Sequence, residues 1–148
     1  MSFEDYRTNR DPALEAALGF SGEGFVLDPM GHLRDLFEAG KVDVLRAEAA
    51  RMVKDPRFRY FDFERKLNDA GYDLLNRSQA RTAVAVFRLN TELFPTSANT
   101  WDSLAEGCWR ANETDKAIEY YEKAIELDPT GVTGDNARRM LRRIRGKE

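Results

Sequence analysis

The sequence predicts an all-α protein: a solenoid of stacked helical hairpins, with an additional N-terminal helix pair and a C-terminal capping helix. The first observation is that Pro95 and Pro129 lie 34 residues apart, and that the residues before each proline repeat one pattern. The second is that the apolar residues in both copies follow helical spacing. A period of 34 residues, with small side chains in some slots and large ones in others, is typical of helix-turn-helix repeats.

The second copy, residues 98–131, carries the clearer pattern. Its first predicted helix has an apolar stripe of Trp101, Leu104, Ala105 and Cys108, and its second has Ala117, Tyr121 and Ala124. The alanines let the two backbones approach closely, while the larger side chains fill the space around the crossing. Asn112 suits a left-handed turn between the helices. Asp128-Pro129 ends the second helix, because proline disfavours helical geometry in the residue before it.

The first copy, residues 64–97, repeats the pattern less strictly. The matching slots hold Leu67, Ala70, Gly71, Leu74, Ala83, Phe87 and Asn90. Asn90 is polar where the second copy has an alanine. Two explanations stay open at this stage: Asn90 faces a polar neighbour, or the helices approach less closely at this point.

The N-terminal part divides into an arm, residues 1–28, with a short helix at 12–18, and a region at 29–63. The second region has a helix starting at Asp28-Pro29 and stopping at Gly40, then a helix at 42–54. We expect the inward side chains of that helix to be Val42, Leu45, Ala49, Met52 and Val53. Residues 57–63 alternate aromatic side chains and predict an extended linker packed along the stack. The helix pair is either a degenerate repeat or a cap, since about three repeats are needed for stability.

The C-terminal part, residues 132–148, is predicted to be a capping region whose helix spans 135–145. Ala137, Leu141 and Ile144 form its inner stripe, and arginines cover the rest. A polar outer face is what the end of a solenoid needs for solubility. The alternative is a docking patch for an acidic partner or RNA, but the arginines lack the interleaved aromatic residues that favour nucleic acid.

Composition argues against several classes of function. A net charge of −3 gives no electrostatic case for nucleic acid or an anionic membrane as partner. Residues 1–10 lack the apolar stretch of a signal peptide, and no apolar run reaches membrane-spanning length, so we expect a cytoplasmic protein.

Catalytic, metal and cofactor motifs are scarce as well. The single cysteine, Cys108, excludes an internal disulfide framework and occupies a buried slot of the repeat. The single histidine, His32, excludes histidine-rich metal sites. Ser21 lies in a segment with Glu23 where the nucleophile elbow requires glycine. The sequence therefore predicts a protein that is not an enzyme and needs no metal or cofactor; a hydrolase remnant built on Ser21 and His32 is the remote alternative.

Residues 64–131 resemble two tetratricopeptide repeats, and the helix at 135–145 resembles the solvating helix that follows such arrays. The resemblance implies recognition of a protein or peptide in a groove lined by the first helices of successive repeats. The groove positions it implies are Arg65, Asn68, Tyr72, Leu75, Asn99, Asp102, Glu106 and Trp109. Tyr72 and Trp109 are the expected anchors, because aromatic side chains dominate interface energetics. The alternatives are that Tyr72 packs on 57–63 and Trp109 on the capping helix.

Two narrower expectations come from the same resemblance. Residues 87–95 (FRLNTELFP) and 97–104 (SANTWDSL) are similar to a bacterial subtype that forms the C-terminal tails of serine beta-lactamase-like and S41-peptidase-like hydrolases. The chain is then either a free-standing adaptor or a fragment or relative of such an enzyme. The positions that bind chaperone tails in related repeats lack their cationic residues here, so that ligand is not expected.

Self-association is the further alternative. It would use exposed repeat ends or the N-terminal arm, whose aromatic residues are Phe3, Tyr6, Phe20 and Phe25.

Overall fold

The computed structural model describes residues 25–146, and every regular element in that range is helical. The helices are α1 (Pro29–Glu38), α2 (Val42–Lys54), α3 (Phe63–Asn76), α4 (Ala80–Leu93), α5 (Ala98–Arg110), α6 (Thr114–Leu127) and α7 (Val132–Ile144), with a 3-10 turn at Pro56–Phe58. The predicted all-α fold of helical hairpins is confirmed. The expectations for the arm lie largely outside the described residues.

Consecutive helices pack as antiparallel hairpins that stack on one another. α3 pairs with α4 and α5 with α6, while α5 also contacts α3, α4 and α7. One core joins the two hairpins to α7, and its fully buried members include Phe87, Tyr121 and Ala137. A second core joins α1 and α2 to the start of α3 and to α4. The helix α5 is therefore central, since its neighbours surround it on several sides.

The turns inside the two hairpins have the same geometry. Asn112 has φ of +64° and Ser78 has φ of +59°, and these residues are 34 positions apart. The backbone N–H of each donates to the carbonyl three residues earlier, on Trp109 and Leu75 respectively, at 3.0 Å. The left-handed turn predicted at Asn112 is confirmed. The one at Ser78 was not anticipated, because serine has no strong preference for positive φ.

The ring of Phe87, on α4, lies between a glycine of α3 and a glycine of α5. A Cβ added to Gly71 would lie 2.3 Å from Cε1 of that ring, and one added to Gly107 would lie 2.9 Å from Cδ2. Both glycines are inside helices, where alanine would normally be more stable by roughly 1 kcal/mol. Close packing on Phe87 explains why glycine occupies these positions.

Glu64, in the first turn of α3, makes polar contacts with α4 in its own hairpin and with the start of the next hairpin. Asn90 is fully buried, and its Nδ2 donates to the carbonyl oxygen of Glu64 at 2.9 Å. The hydroxyl of Ser97, immediately before α5, donates to Oε1 of Glu64 at 2.7 Å. Two explanations were open for the polar residue Asn90 in the repeat pattern, and the structure supports the one in which Asn90 faces a polar neighbour.

The N-terminal helix pair begins and turns as expected. The Asp28 carboxylate accepts a hydrogen bond from the N–H of Gly31 at 2.9 Å and caps α1. Gly40, between α1 and α2, has φ of +69°. Leu45, Ala49 and Met52 are buried as predicted. Val42, in the first turn of α2, is not buried and has 45% of its surface exposed.

The expectation of an extended linker at 57–63 is wrong. The Asp55 carboxylate accepts from the N–H of Arg57 at 2.9 Å and starts the 3-10 turn, and Phe63 already belongs to α3. Phe58 and Phe63 are buried in the second core, with ring centroids 6.0 Å apart. Tyr60 is 86% exposed and packs on no core. Capping by Asp55 favours a compact turn over the extended geometry that alternation of side chains suggested.

The C-terminal helix begins earlier than predicted, at Val132 rather than 135. The Asp128 carboxylate explains the difference, since it accepts from the N–H of Gly131 at 2.8 Å and of Thr133 at 3.2 Å. These donors are among those that a helix start leaves unsatisfied. Ala137 and Leu141 are buried, as expected for the inner stripe of a capping helix.

Replacing the two glycines tests the packing on Phe87. We expect Gly71→Ala to lower the melting temperature, because overpacking costs roughly 1–3 kcal/mol and exceeds the gain of about 1 kcal/mol in helix propensity. Gly107→Ala should have a smaller effect, since its added carbon needs a smaller shift of the ring. Thermal unfolding followed by circular dichroism compares the three proteins. A Gly71→Ala protein as stable as the wild type would contradict this packing.

Candidate partner-binding groove

The first helices of the two hairpins and the capping helix carry equivalent side chains that contact one another. The hydroxyl of Tyr72 on α3 donates to Oε2 of Glu106 on α5 at 3.1 Å, and these residues are 34 positions apart. Asn136 on α7 donates through Nδ2 to Oδ2 of Asp102 on α5 at 2.8 Å, again across 34 positions. The repeat period therefore places α3, α5 and α7 in register. We call the surface carried by these three helices the groove.

The predicted groove residues differ in their exposure. Arg65 and Asn99 are exposed, Asn68, Tyr72, Glu106 and Trp109 are half-buried, Asp102 is 8% exposed and Leu75 is 3% exposed. Leu75 was predicted to line the groove, but this prediction is wrong because Leu75 lies in the core. Phe63, Leu67, Gly71 and Leu75 are the buried residues of α3 and follow one another at steps of four, so the core side of α3 includes position 75.

Tyr72 is held between the core and the groove. Its ring packs edge-on against Phe87 with centroids 5.3 Å apart. Its hydroxyl, besides donating to Glu106, lies 3.4 Å from Oγ of Ser103. Burial raises the pKa of Tyr72 to about 12, and the neighbouring charge of Glu106 contributes in the same direction. Tyr72 is therefore a neutral, oriented side chain, and no contact with residues 57–63 is needed to hold it.

Asp102 is a nearly buried carboxylate whose direct hydrogen-bond partner is an amide, and Arg139, which donates to the same Asn136 side chain, acts on it through its charge. Both of its oxygens accept from Nδ2 of Asn136, at 3.1 and 2.8 Å. None of the ion pairs found among residues 25–146 includes it. Burial raises the pKa of Asp102 to about 6, and the charge of Glu106 raises it further, against the lowering effects of the Asn136 hydrogen bond and of the Arg139 charge. A buried charge with one amide donor is costly to the fold.

Two other buried polar atoms, on Tyr121 and Asn68, lack hydrogen-bond partners among the described residues. The hydroxyl of Tyr121, on α6, is buried and unpaired, and Tyr121 itself is 0% exposed. Burial raises the pKa of Tyr121, and the charges of Asp102 and Glu106 raise it further. Oδ1 of Asn68, the residue equivalent to Asp102 one repeat earlier, is also buried and unpaired. We call Tyr72, Asp102, Ser103 and Glu106 the acidic cluster.

Trp109 lies at the other end of the groove on α5. The guanidinium of Arg143, on α7, lies 5.0 Å from the centroid of its ring, within the range of a cation–π contact. Trp109 is half-buried, so α7 covers part of the ring and leaves part accessible. Both alternatives considered for this residue, an anchor and a contact with the capping helix, are compatible with that position.

The remaining residues with reactive side chains, Cys108 and His32, contact the core or a neighbouring helix. Cys108 is fully buried, and burial raises its pKa to about 11, which keeps it a neutral thiol at physiological pH. Nε2 of His32 lies 3.9 Å from Oε2 of Glu48, in the contact between α1 and α2. Across residues 25–146, no three His, Cys, Asp or Glu side chains are grouped to hold a metal. Ser21 lies outside the described residues.

A cleft lies away from the groove, between α1 and α2 on one side and α3 and α4 on the other. Its volume is about 710 Å³. Its walls include Leu33, Phe37, Leu45, Leu67, Val86 and Leu89. Charged residues also line this cleft, among them Arg34, Arg46, Asp73 and Arg77.

Comparison with known protein families assigns the hairpin of α5 and α6. The sequence model of the tetratricopeptide repeat matches residues 98–130. Such repeats generally mediate protein–protein interactions, and residues 64–97 form a hairpin of the same geometry one period earlier. No curated protein matches the chain, so the resemblance to hydrolase tails finds no support. No helix within residues 25–146 is both long enough and apolar enough to cross a membrane.

Sequence reasoning missed Arg143 as a neighbour of the groove residue Trp109. It assigned Tyr121 to the core stripe, and Tyr121 is fully buried. A signal for Asn136 was present, because it is 34 residues after Asp102.

The raised pKa of Asp102 predicts a pH-dependent stability. Between the unfolded value of about 3.9 and the folded value of about 6, the native state binds more protons, so stability falls as pH rises through this window. Asp102→Asn should therefore stabilise the protein at neutral pH by roughly 1–3 kcal/mol and have little effect near pH 4. Denaturant unfolding at both pH values measures this.

Glu119→Gln is the control, because it removes an exposed carboxylate from the middle of α6. It should change stability little at either pH. Equal effects of the two substitutions would show that Asp102 is solvated in the native protein.

Proposed function

We propose that this chain is a non-catalytic binding module that holds a peptide or helix of a partner protein in the groove. The observation that supports this most directly is the register of α3, α5 and α7, in which side chains 34 residues apart contact one another. That register makes one continuous surface from three separate helices. A continuous, repeating surface suits an extended or helical ligand better than a small molecule.

The side chains available on this surface agree with a protein ligand. Tyr72 and Trp109 are half-buried aromatic residues held by neighbouring side chains, and such residues are frequent anchors in interfaces. Asn99 and Arg65 supply exposed polar groups on the same helices. A hydrophobic centre with a polar rim is the usual composition of an interface.

Removing both aromatic anchors tests the groove. The variant Tyr72→Ala, Trp109→Ala should lose capture of the partner from a lysate of the source cells, as read by mass spectrometry. Since Tyr72 also packs on Phe87, a thermal melt must show that the variant is folded at the temperature of capture. If the folded variant retained the partner at wild-type levels, the proposal that the groove binds the partner would be wrong.

A matched control removes apolar surface elsewhere. Tyr60 and Leu27 are 86% and 92% exposed and lie outside the groove. The variant Leu27→Ala, Tyr60→Ala should capture the same partner as the wild type. A loss in this control as well would indicate non-specific apolar binding.

Self-association is the second candidate function, and the apolar cleft between α1, α2, α3 and α4 is the observation that favours it. Val42, which lines this cleft, is 45% exposed and could contact a second copy. Phe25, one of the arm residues considered for this role, instead stacks on Phe58 with centroids 5.2 Å apart.

Light scattering on the full chain at tens of micromolar tests this candidate. Self-association through the cleft predicts a dimer that Phe37→Asp converts to a monomer, because the new charge would enter an apolar contact. A wild-type protein that is monomeric at that concentration would rule the candidate out and leave the groove proposal intact.

A further inference from the structure

The capping region concentrates positive charge in a chain that is acidic as a whole. Residues 132–148 contain six Lys or Arg and two Asp or Glu, a net charge of +4, whereas the net charge of the whole chain is −3. Arg138 and Arg145 are paired, with Asp135 at 3.2 Å and with Glu122 at 2.6 Å. The arginines of α7 that belong to none of the ion pairs found among residues 25–146 are Arg139, Arg142 and Arg143.

Arg143 differs from the other two because it lies in the groove. It follows Trp109 by 34 residues, and its guanidinium lies 5.0 Å from the centroid of that ring. This contact has the same register as the hydrogen bond between Asp102 and Asn136. Asn136 and Arg143 are seven residues apart, about two helical turns, so they share one face of α7. The face of α7 that meets α5 across the groove therefore carries an arginine at its C-terminal end.

The contact between Arg143 and Trp109 leaves hydrogen-bonding capacity unused. Arg143 is exposed and Trp109 is half-buried, so the guanidinium and the ring belong to one solvent-accessible surface. A cation–π contact consumes none of the five N–H donors of a guanidinium. Within residues 25–146, the side chain of Arg143 makes no hydrogen bond. An acceptor that reaches the edge of Trp109 would therefore find free donors held in place by the ring.

The acids of the acidic cluster are engaged with other partners. Glu106 accepts from the Tyr72 hydroxyl on α3 at 3.1 Å and lies 3.9 Å from Arg110 on its own helix. Asp102 is 8% exposed, and it bonds to α7 about two helical turns before Arg143. Neither acid forms an ion pair with Arg143, so the end of the groove at α7 is basic while its part next to α3 is acidic.

We infer that the partner segment carries an acidic side chain, aspartate or glutamate, which binds Arg143 beside Trp109 while an apolar neighbour packs on the ring. This inference rests on the proposed function of the groove and specifies the chemistry of its ligand. A guanidinium binds a carboxylate through two parallel N–H···O bonds, and a guanidinium held against a ring loses less freedom in doing so. Arg139, exposed and one turn earlier on α7, adds to the positive potential. The acidic cluster would repel the same side chain, which fixes the direction of the bound segment.

The structural alternative is that Arg143 only holds the capping helix, since a cation in the last turn of a helix is also favoured by the helix dipole. Arg142 is the matched control for this alternative. It is exposed, lies in the same last turn and carries the same charge. It points roughly 100° around the helix from Arg143, because an α-helix has 3.6 residues per turn.

A display selection on the full chain tests the inference. The probe is a library of random twelve-residue peptides, selected on the wild type and depleted on Tyr72→Ala, Trp109→Ala. We expect the selected peptides to share an aspartate or glutamate at one fixed position, next to an apolar residue. Their affinity, measured by fluorescence anisotropy, should fall at least tenfold on Arg143→Gln and remain within twofold of wild type on Arg142→Gln.

Charge reversal separates direct contact from a structural role. Replacing the shared acid of the peptide by lysine should weaken binding to the wild type and restore at least tenfold of the affinity lost on Arg143→Glu. An arginine that only holds the capping helix gives no such exchange. Thermal melts show which variants are folded at the temperature of measurement. If Arg143→Glu is not, Arg143→Gln with a peptide whose acid is glutamine serves instead, and the two losses should not add.

The contrary outcomes are distinct for the two proposals. Peptides that depend on Tyr72 and Trp109 but share no acid, or equal losses on Arg142→Gln and Arg143→Gln, would overturn the inference and leave the groove as the binding surface. Tighter, Arg143-dependent binding of a twelve-nucleotide polyuridine would assign the arginines to RNA and overturn it as well. A selection that yields no peptide dependent on Tyr72 and Trp109 would overturn the proposed function itself.

Discussion

The contact on which the rest of the structure depends is the insertion of the Phe87 ring between Gly71 and Gly107. It fixes how closely α4 approaches α3 within its own hairpin and α5 in the next one. Because Tyr72 packs on the same ring, the spacing also sets where the groove side chains of α3 meet those of α5. Backbone packing and the proposed binding surface therefore both depend on one aromatic side chain.

Asp102 illustrates a conflict between stability and binding. Its burial opposes its charge, and Asn136 offsets only part of that cost. An uncharged residue of similar shape would suit the fold better. Residues that cost stability while contributing to a surface with oriented polar groups are characteristic of binding sites. The same argument applies to the unpaired hydroxyl of Tyr121, which a purely structural core would replace by phenylalanine.

The 34-residue period was enough to predict the two hairpins and the turn at Asn112, because small and large residues return in the same phase. The period did not predict the turn after α2 or the first residue of α7, because both depend on local capping. Asp55 folds the expected linker into a 3-10 turn, and Asp128 starts α7 three residues early. For the groove, the period identified its helices, but exposure depended on neighbours distant in sequence. Leu75 is buried by the core side of α3, and Asp102 by contact with α7 through Asn136.

The hydrogen bonds of the Tyr72 hydroxyl have a consequence for the entropy of association. Its ring is fixed by Phe87 and its oxygen by Glu106 and Ser103, so the side chain loses its rotational freedom when the chain folds. Immobilising such a side chain on binding usually costs roughly 0.5–1.5 kcal/mol. Here that cost is incurred before a partner arrives. Loosening the core beneath Tyr72 would weaken affinity even though every atom that touches the ligand stayed the same.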